Sequence, residues 1–124
     1  MARVMAVAMD VMDRPWEWGA ADCCTSACDV FLRLYGTDPM APLRGRYRTQ
    51  REAQRLIAGY GGWGRMADAL AAGSGLVRCD PREGAIGVAE HGLCIAVSPW
   101  AWLGKTEHGL STLRDVERCY HVAQ

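Results

Sequence analysis

Apolar residues along this chain change their period once, and that change divides it. Val4, Val7, Ala8, Val11 and Met12 recur at helical spacing, with Arg3, Asp10 and Asp13 off the stripe, which predicts an amphipathic helix over residues 2–13. Cys24, Ala27, Cys28, Phe31, Leu34 and Tyr35 repeat the pattern and predict a second helix over Cys23–Tyr35, stopped by Gly36. Thr37–Arg46 is broken by prolines and has no period. Thr49-Gln50-Arg51-Glu52 reads as a capping box, in which Thr49 and Glu52 reciprocally satisfy first-turn donors, ahead of Ala53, Leu56, Ile57 and Tyr60. After Gly61-Gly62, the residues Trp63, Met66, Ala67 and Leu70 predict a further helix ending near Gly73. Beyond Gly75 the apolar runs are short: Leu76-Val77, Ala85–Ala89, Gly92–Val97, Trp100–Leu103, Leu110–Leu113 and Cys119–Val122. Bounded by Pro81, Gly84, Pro99, Gly104 and Gly109, they read as strands.

Helices first and a small antiparallel sheet afterwards is an α+β arrangement, with a helical half over about residues 1–73 and a sheet half over about 75–124. A chain of 124 residues holds one modest core, so a single domain is expected. Half the residues are apolar, and 14 basic side chains balance 14 acidic ones. No net field therefore draws the chain to nucleic acid or to an anionic membrane. Val4–Met9, the longest apolar run near the start, is far below the roughly 20 residues of a membrane span, and no secretory signal is readable.

Chemistry concentrates at Trp16-Glu17-Trp18-Gly19-Ala20-Ala21-Asp22-Cys23-Cys24. Pro15 forces an extended approach to this loop. Trp16 and Trp18 form a bulky wall beside Gly19, and one or both are expected to anchor the core. Asp22 is placed to cap the helix that starts at Cys23. A thiol at the positive end of a helix dipole has its thiolate stabilised, and the thiolate is the nucleophile. The six cysteines lack the setting of a secreted disulfide scaffold, so a reducing cytoplasm with most thiols as small core residues is expected. A zinc or iron–sulfur site from Cys23, Cys24 and Cys28 with Cys79, Cys94 or Cys119 is the competing reading. An adjacent pair plus a fourth-residue spacing is neither a zinc-ribbon nor a ferredoxin pattern, so no metal and no cofactor is expected.

Trp16-Glu17-Trp18-Gly19, then Asp22-Cys23 at a helix start, then Glu90-His91-Gly92-Leu93 in a strand pair resemble the NlpC-type, papain-like cysteine peptidases. With Leu43-Arg44-Gly45-Arg46-Tyr47-Arg48 and Gly92-Leu93-Cys94, the chain is most similar to the small peptidase-like tail proteins of tailed phages and gene transfer agents. The resemblance implies a papain-like fold in which Cys23 attacks an amide carbonyl, paired with His91, while the helix start holds the oxyanion. His108 is the candidate third member or substitute base. Trp16 and Asp22 are assigned to the substrate wall and oxyanion end, and His121 to a satisfied, partly buried position. Peptidoglycan stem peptides are the implied substrate, other phage tail proteins the partners, and a virion tail assembled in the host cytoplasm the location. The alternative is a structural tail protein that keeps the fold without turnover.

The family's strand histidine aligns with Glu90, one residue before His91. On a regular strand Glu90, Gly92, Cys94 and Ala96 share one face. Being small, that face is expected to pack on the cysteine helix, which turns His91 away unless a bulge at Gly92 re-aims it. Trp63, Trp100 and Trp102 are candidates either for partner contact or for the core.

Overall fold

The computed structural model describes residues 2–90 and 92–123. Four helices are followed by six strands: α1 (Ala2–Met12), α2 (Cys23–Tyr35), α3 (Gln50–Gly59) and α4 (Trp63–Gly73), then β1 (Leu76–Cys79), β2 (Ile86–Val88), β3 (Leu93–Ser98), β4 (Ala101–Thr106), β5 (Gly109–Leu113) and β6 (Arg118–Val122). The fold is α+β, as the change of period predicts. The aperiodic loop after α2 holds one short 3-10 turn, Ala41–Leu43.

The sheet runs β1-β6-β2-β3-β4-β5, every pair antiparallel. Strands β2 to β5 form a meander, and β6 returns across the sheet to sit between β1 and β2. The β2–β3 hairpin is the element that bears on the site. Val88 pairs with Leu93, and the Ala89 N–H donates to the Gly92 carbonyl at 2.9 Å. Strand β3 thus begins at Leu93, and Gly92 belongs to the turn.

That boundary corrects the expected orientation of β3. Leu93, Ile95 and Val97, not the small residues, join the core with Ala27, Val30, Phe31 and Leu34 of α2. Cys94 and Ala96 point to the opposite face, where they pack with Ala85, Trp102 and Cys119. The physical reason is the large difference in buried apolar area: the branched side chains take the face that the helices cover. Counting alternation back from Gly92 to Glu90 fails because Glu90 and Gly92 themselves lie outside the strand. His91 itself lies outside the described residues.

Helix α2 is the centre of packing, lying against β2, β3 and β4, with α1 beside it and α4 against β1. Asp22 caps it as expected, and Gly36 ends it in the left-handed conformation at φ 75°. The cap is in fact a full capping box with Thr25, whose hydroxyl accepts the Asp22 N–H at 2.9 Å. The predicted box at α3 is offset instead. Thr49 Oγ accepts the Glu52 N–H at 3.1 Å, but Glu52 reaches back to the Arg48 N–H, one residue before the cap.

Candidate functional site

Asp22 is 2 % exposed, and its carboxylate is filled by four donors. Oδ1 accepts the Thr25 N–H at 2.8 Å and the Thr25 hydroxyl at 3.0 Å; Oδ2 accepts the Gly19 N–H at 2.8 Å and the Tyr47 hydroxyl at 2.5 Å. A buried charge needs this many donors to offset its lost hydration. Burial and then the adjacent carboxylate push the Tyr47 phenol far up, so it stays a proton donor. Gly19 is needed twice over: its φ is +84°, and a Cβ there would lie 2.1 Å from the Tyr47 carbonyl oxygen. Glu17 and Ala21 pair their backbones across this turn, with the Ala21 N–H donating to the Glu17 carbonyl at 2.7 Å.

Tyr47 reaches Asp22 because the loop carrying it is tied to α2. Arg44 bridges Asp38 and Asp29, each at 2.7 Å, and Arg14 also reaches Asp29 at 3.3 Å. The Arg-Gly-Arg-Tyr segment singled out in the sequence therefore braces the helix start. No local pattern predicts the contact between Tyr47 and Asp22, which spans 25 residues.

Cys23 is the first residue of α2 and is half-buried on the floor of a cleft of about 480 Å³. Its sulfur lies 3.8 Å from that of Cys24. The Cys24 thiol donating to it lowers the Cys23 pKa, against burial and the Asp22 charge, which raise it; the Leu93 and Cys24 N–H groups add to the lowering. Net, the donors win. Cys24 is pushed the other way, by its bond to Cys23 and by burial, so of the two thiols Cys23 is the one that ionises first. Of the first-turn N–H groups, Asp22 takes those of Thr25 and Ser26. Gly92 is the close neighbour: a Cβ there would meet the Cys23 sulfur at 2.5 Å. Cys24, Tyr47, Gly92 and the Leu93 N–H are the site members that sequence reasoning missed as such; the Asp-x-x-Thr spacing was the one local signal of the cap's strength.

The cleft is walled by Trp16 and Trp18, packed edge to face with centroids 5.0 Å apart, and by Ala53, Leu56 and Ile57 of α3. The indole nitrogen of Trp16 is buried without a partner among the described residues. Trp63 also lines it and donates its indole N–H to the Ala89 carbonyl at 2.8 Å, tying α4 to the β2–β3 turn. Glu90, Lys105, Thr106 and Glu107 complete the rim. Lys105 is committed elsewhere, since its ammonium donates to the Met12 carbonyl at 2.7 Å and to that of Arg14, at the end of α1.

The predicted site residues divide accordingly. Trp16, Asp22 and Cys23 come together in the cleft. His108 stands exposed in the β4–β5 turn, its N–H donating to Thr106 Oγ at 3.2 Å, and is not part of the cleft lining, although Thr106 and Glu107 are. His91 lies outside the described residues. His121 is buried against Phe31 and Tyr35, its Nδ1 accepting the Val122 N–H at 2.8 Å, and burial followed by Arg82 lowers its pKa. Trp102 is core, Trp63 is half-buried, and Trp100 is 73 % exposed in the β3–β4 turn.

The six thiols do not converge on one site among the described residues. Cys79, Cys94 and Cys119 meet on the sheet face away from the helices, while Cys24 and Cys28 lie in the helical core. The ligand atoms of Asp22, Cys23 and Cys24 do fall within 4.8 Å of one another. A cation there would have to displace donors that already fill the Asp22 carboxylate and ionise the buried Cys24.

No helix among the described residues is long and apolar enough to cross a membrane. None of the curated proteins and none of the solved structures compared with the chain matches it. A family model described as a domain of unknown function, DUF6950, matches residues 1–122, and the chain belongs to that family.

Proposed function

We propose that this chain is a papain-like, NlpC-type cysteine peptidase or amidase with Cys23 as its nucleophile. One observation carries the reading: Cys23 sits at a helix start on the floor of an apolar cleft, with its thiolate favoured by a neighbouring thiol and two backbone N–H groups. In the reaction, the Cys23 thiolate attacks an amide carbonyl carbon and forms a C–S bond, and the carbonyl oxygen becomes an oxyanion stabilised by the positive end of the α2 dipole. The C–N bond breaks as the amine takes a proton from a histidine, for which His91 is the first candidate and His108 the second. Water then hydrolyses the thioester and restores the thiol.

The sequence resemblance extends the proposal to a phage tail protein, assembled in the host cytoplasm beside other tail proteins and acting on peptidoglycan stem peptides during genome delivery. A structural tail protein without turnover is the second reading, favoured by the exposure of His108 away from the cleft and by the exposed Trp100. Zymography on purified peptidoglycan separates the two. Clearing by the native chain and none by Cys23→Ala supports the enzyme, whereas equal behaviour of both proteins excludes Cys23 as nucleophile.

A further inference from the structure

Helix α3 differs from the other described helices in what covers its apolar face. It carries Ala53, Leu56 and Ile57 on one side, yet none of its residues is fully buried, whereas α4 buries Met66, Ala67, Leu70 and Ala71 and α2 buries eight residues. Those three α3 side chains line the cleft together with Trp16, Trp18 and Cys23. A volume of about 480 Å³ is in the range of sites that enclose a small ligand or a short peptide segment. An apolar wall left half-wet by the chain itself is completed by an apolar ligand.

Charge narrows the class of ligand. Among the described lining residues Lys105 is the one cation, and its ammonium is turned to the Met12 and Arg14 carbonyls. The Asp22 carboxylate is saturated, and Glu107 adds negative charge to the lining. A carboxylate-bearing ligand meets the Glu107 charge and gives up hydration against the apolar α3 wall, which costs affinity.

We infer that the cleft binds a peptide with a large apolar side chain next to the carbonyl that Cys23 faces, and discriminates against an acidic residue at that position. The inference rests on the proposed peptidase reading and deepens it: within a peptide substrate, a cell-wall stem peptide included, the side chain seated against α3 is apolar rather than acidic.

The test uses the full chain carrying Cys23→Ala, so that no chemistry is involved, and reads the fluorescence of the cleft tryptophans during titration. The probes are N-acetyl-phenylalanyl-glycine amide and N-acetyl-glutamyl-glycine amide. The phenylalanyl probe is expected to bind about 10- to 100-fold tighter, the equivalent of burying one large apolar side chain. Ile57→Asp, and separately Leu56→Gln, are expected to erase the difference while leaving the far-ultraviolet dichroism unchanged, because α3 contributes no fully buried residue. Equal binding, tighter binding of the glutamyl probe, or a preference that survives both α3 substitutions overturns the inference. A native chain that fails to hydrolyse peptides while the binding preference stands would instead overturn the nucleophile reading alone.

Discussion

Two pairs of thiols in this chain make nearly the same contact and have opposite chemistry. Cys23 and Cys24 lie 3.8 Å apart at the start of α2; Cys79 and Cys119 lie 3.7 Å apart on directly paired positions of β1 and β6. In the first pair one thiol is lowered, chiefly because the buried Cys24 keeps its own proton and donates it to Cys23, with the Leu93 and Cys24 N–H groups adding to the effect. In the second, burial first and then the contact with the Cys79 thiol push Cys119 up to about 12. Its own S–H donates to the Cys79 carbonyl at 3.1 Å, a bond that requires the protonated form. A thiol–thiol contact therefore works in either direction. What decides is which partner keeps the proton: Cys24 keeps it beside Cys23, and the buried Cys119 keeps it beside Cys79.

The sharpest way to break this comparison is to remove what holds the first pair. Asp22→Ala leaves the Gly19 and Thr25 N–H groups and the Tyr47 hydroxyl without their acceptor, and is expected to cost about 3 kcal/mol in urea unfolding. Cys79→Ala removes only a thiol contact and should cost about 1 kcal/mol or less. Equal losses would mean that the helix start is no more built than the sheet pair.

A smaller effect separates the pairs by pH. Cys119 and Cys94 are both pushed to about 12 in the folded chain, chiefly by burial. Unfolded thiols ionise near pH 8.5. Between that value and about 12 the unfolded state loses protons that the folded state retains, so stability is full below pH 8.5 and declines as pH rises through this window. Cys23 acts in the opposite sense, its lowered pKa adding stability above the unfolded value that is lost as pH falls through the folded one. Melting temperatures between pH 7 and 10 are expected to fall in the native chain and to fall less in Cys94→Ala. An unchanged slope would place the alkaline sensitivity elsewhere.

Much of this architecture was readable from residue order. The α2 boundaries followed from Asp22 at its head and Gly36 at its foot, because caps are local signals. The sheet half followed from short apolar runs between glycines and prolines. What misled was the face of β3, since alternation counted from Gly92 holds only within a strand, and the strand starts at Leu93. What could not be read was the brace. Tyr47 reaches Asp22 through a loop without period, held by the Arg44 pairs, and only the folded chain brings them together. Cys24 likewise read as a small helix residue, although its proton is the largest influence favouring the Cys23 thiolate.

The central claim is that Cys23 is an activated nucleophile, and site-resolved alkylation of the native chain tests it most directly. With iodoacetamide at pH 7 and peptide mass spectrometry, Cys23 is predicted to react at least about tenfold faster than Cys79 or Cys119, with the advantage reduced in Cys24→Ala, which removes the donated proton. Reaction of Cys23 no faster than Cys119 in the folded chain would contradict the account.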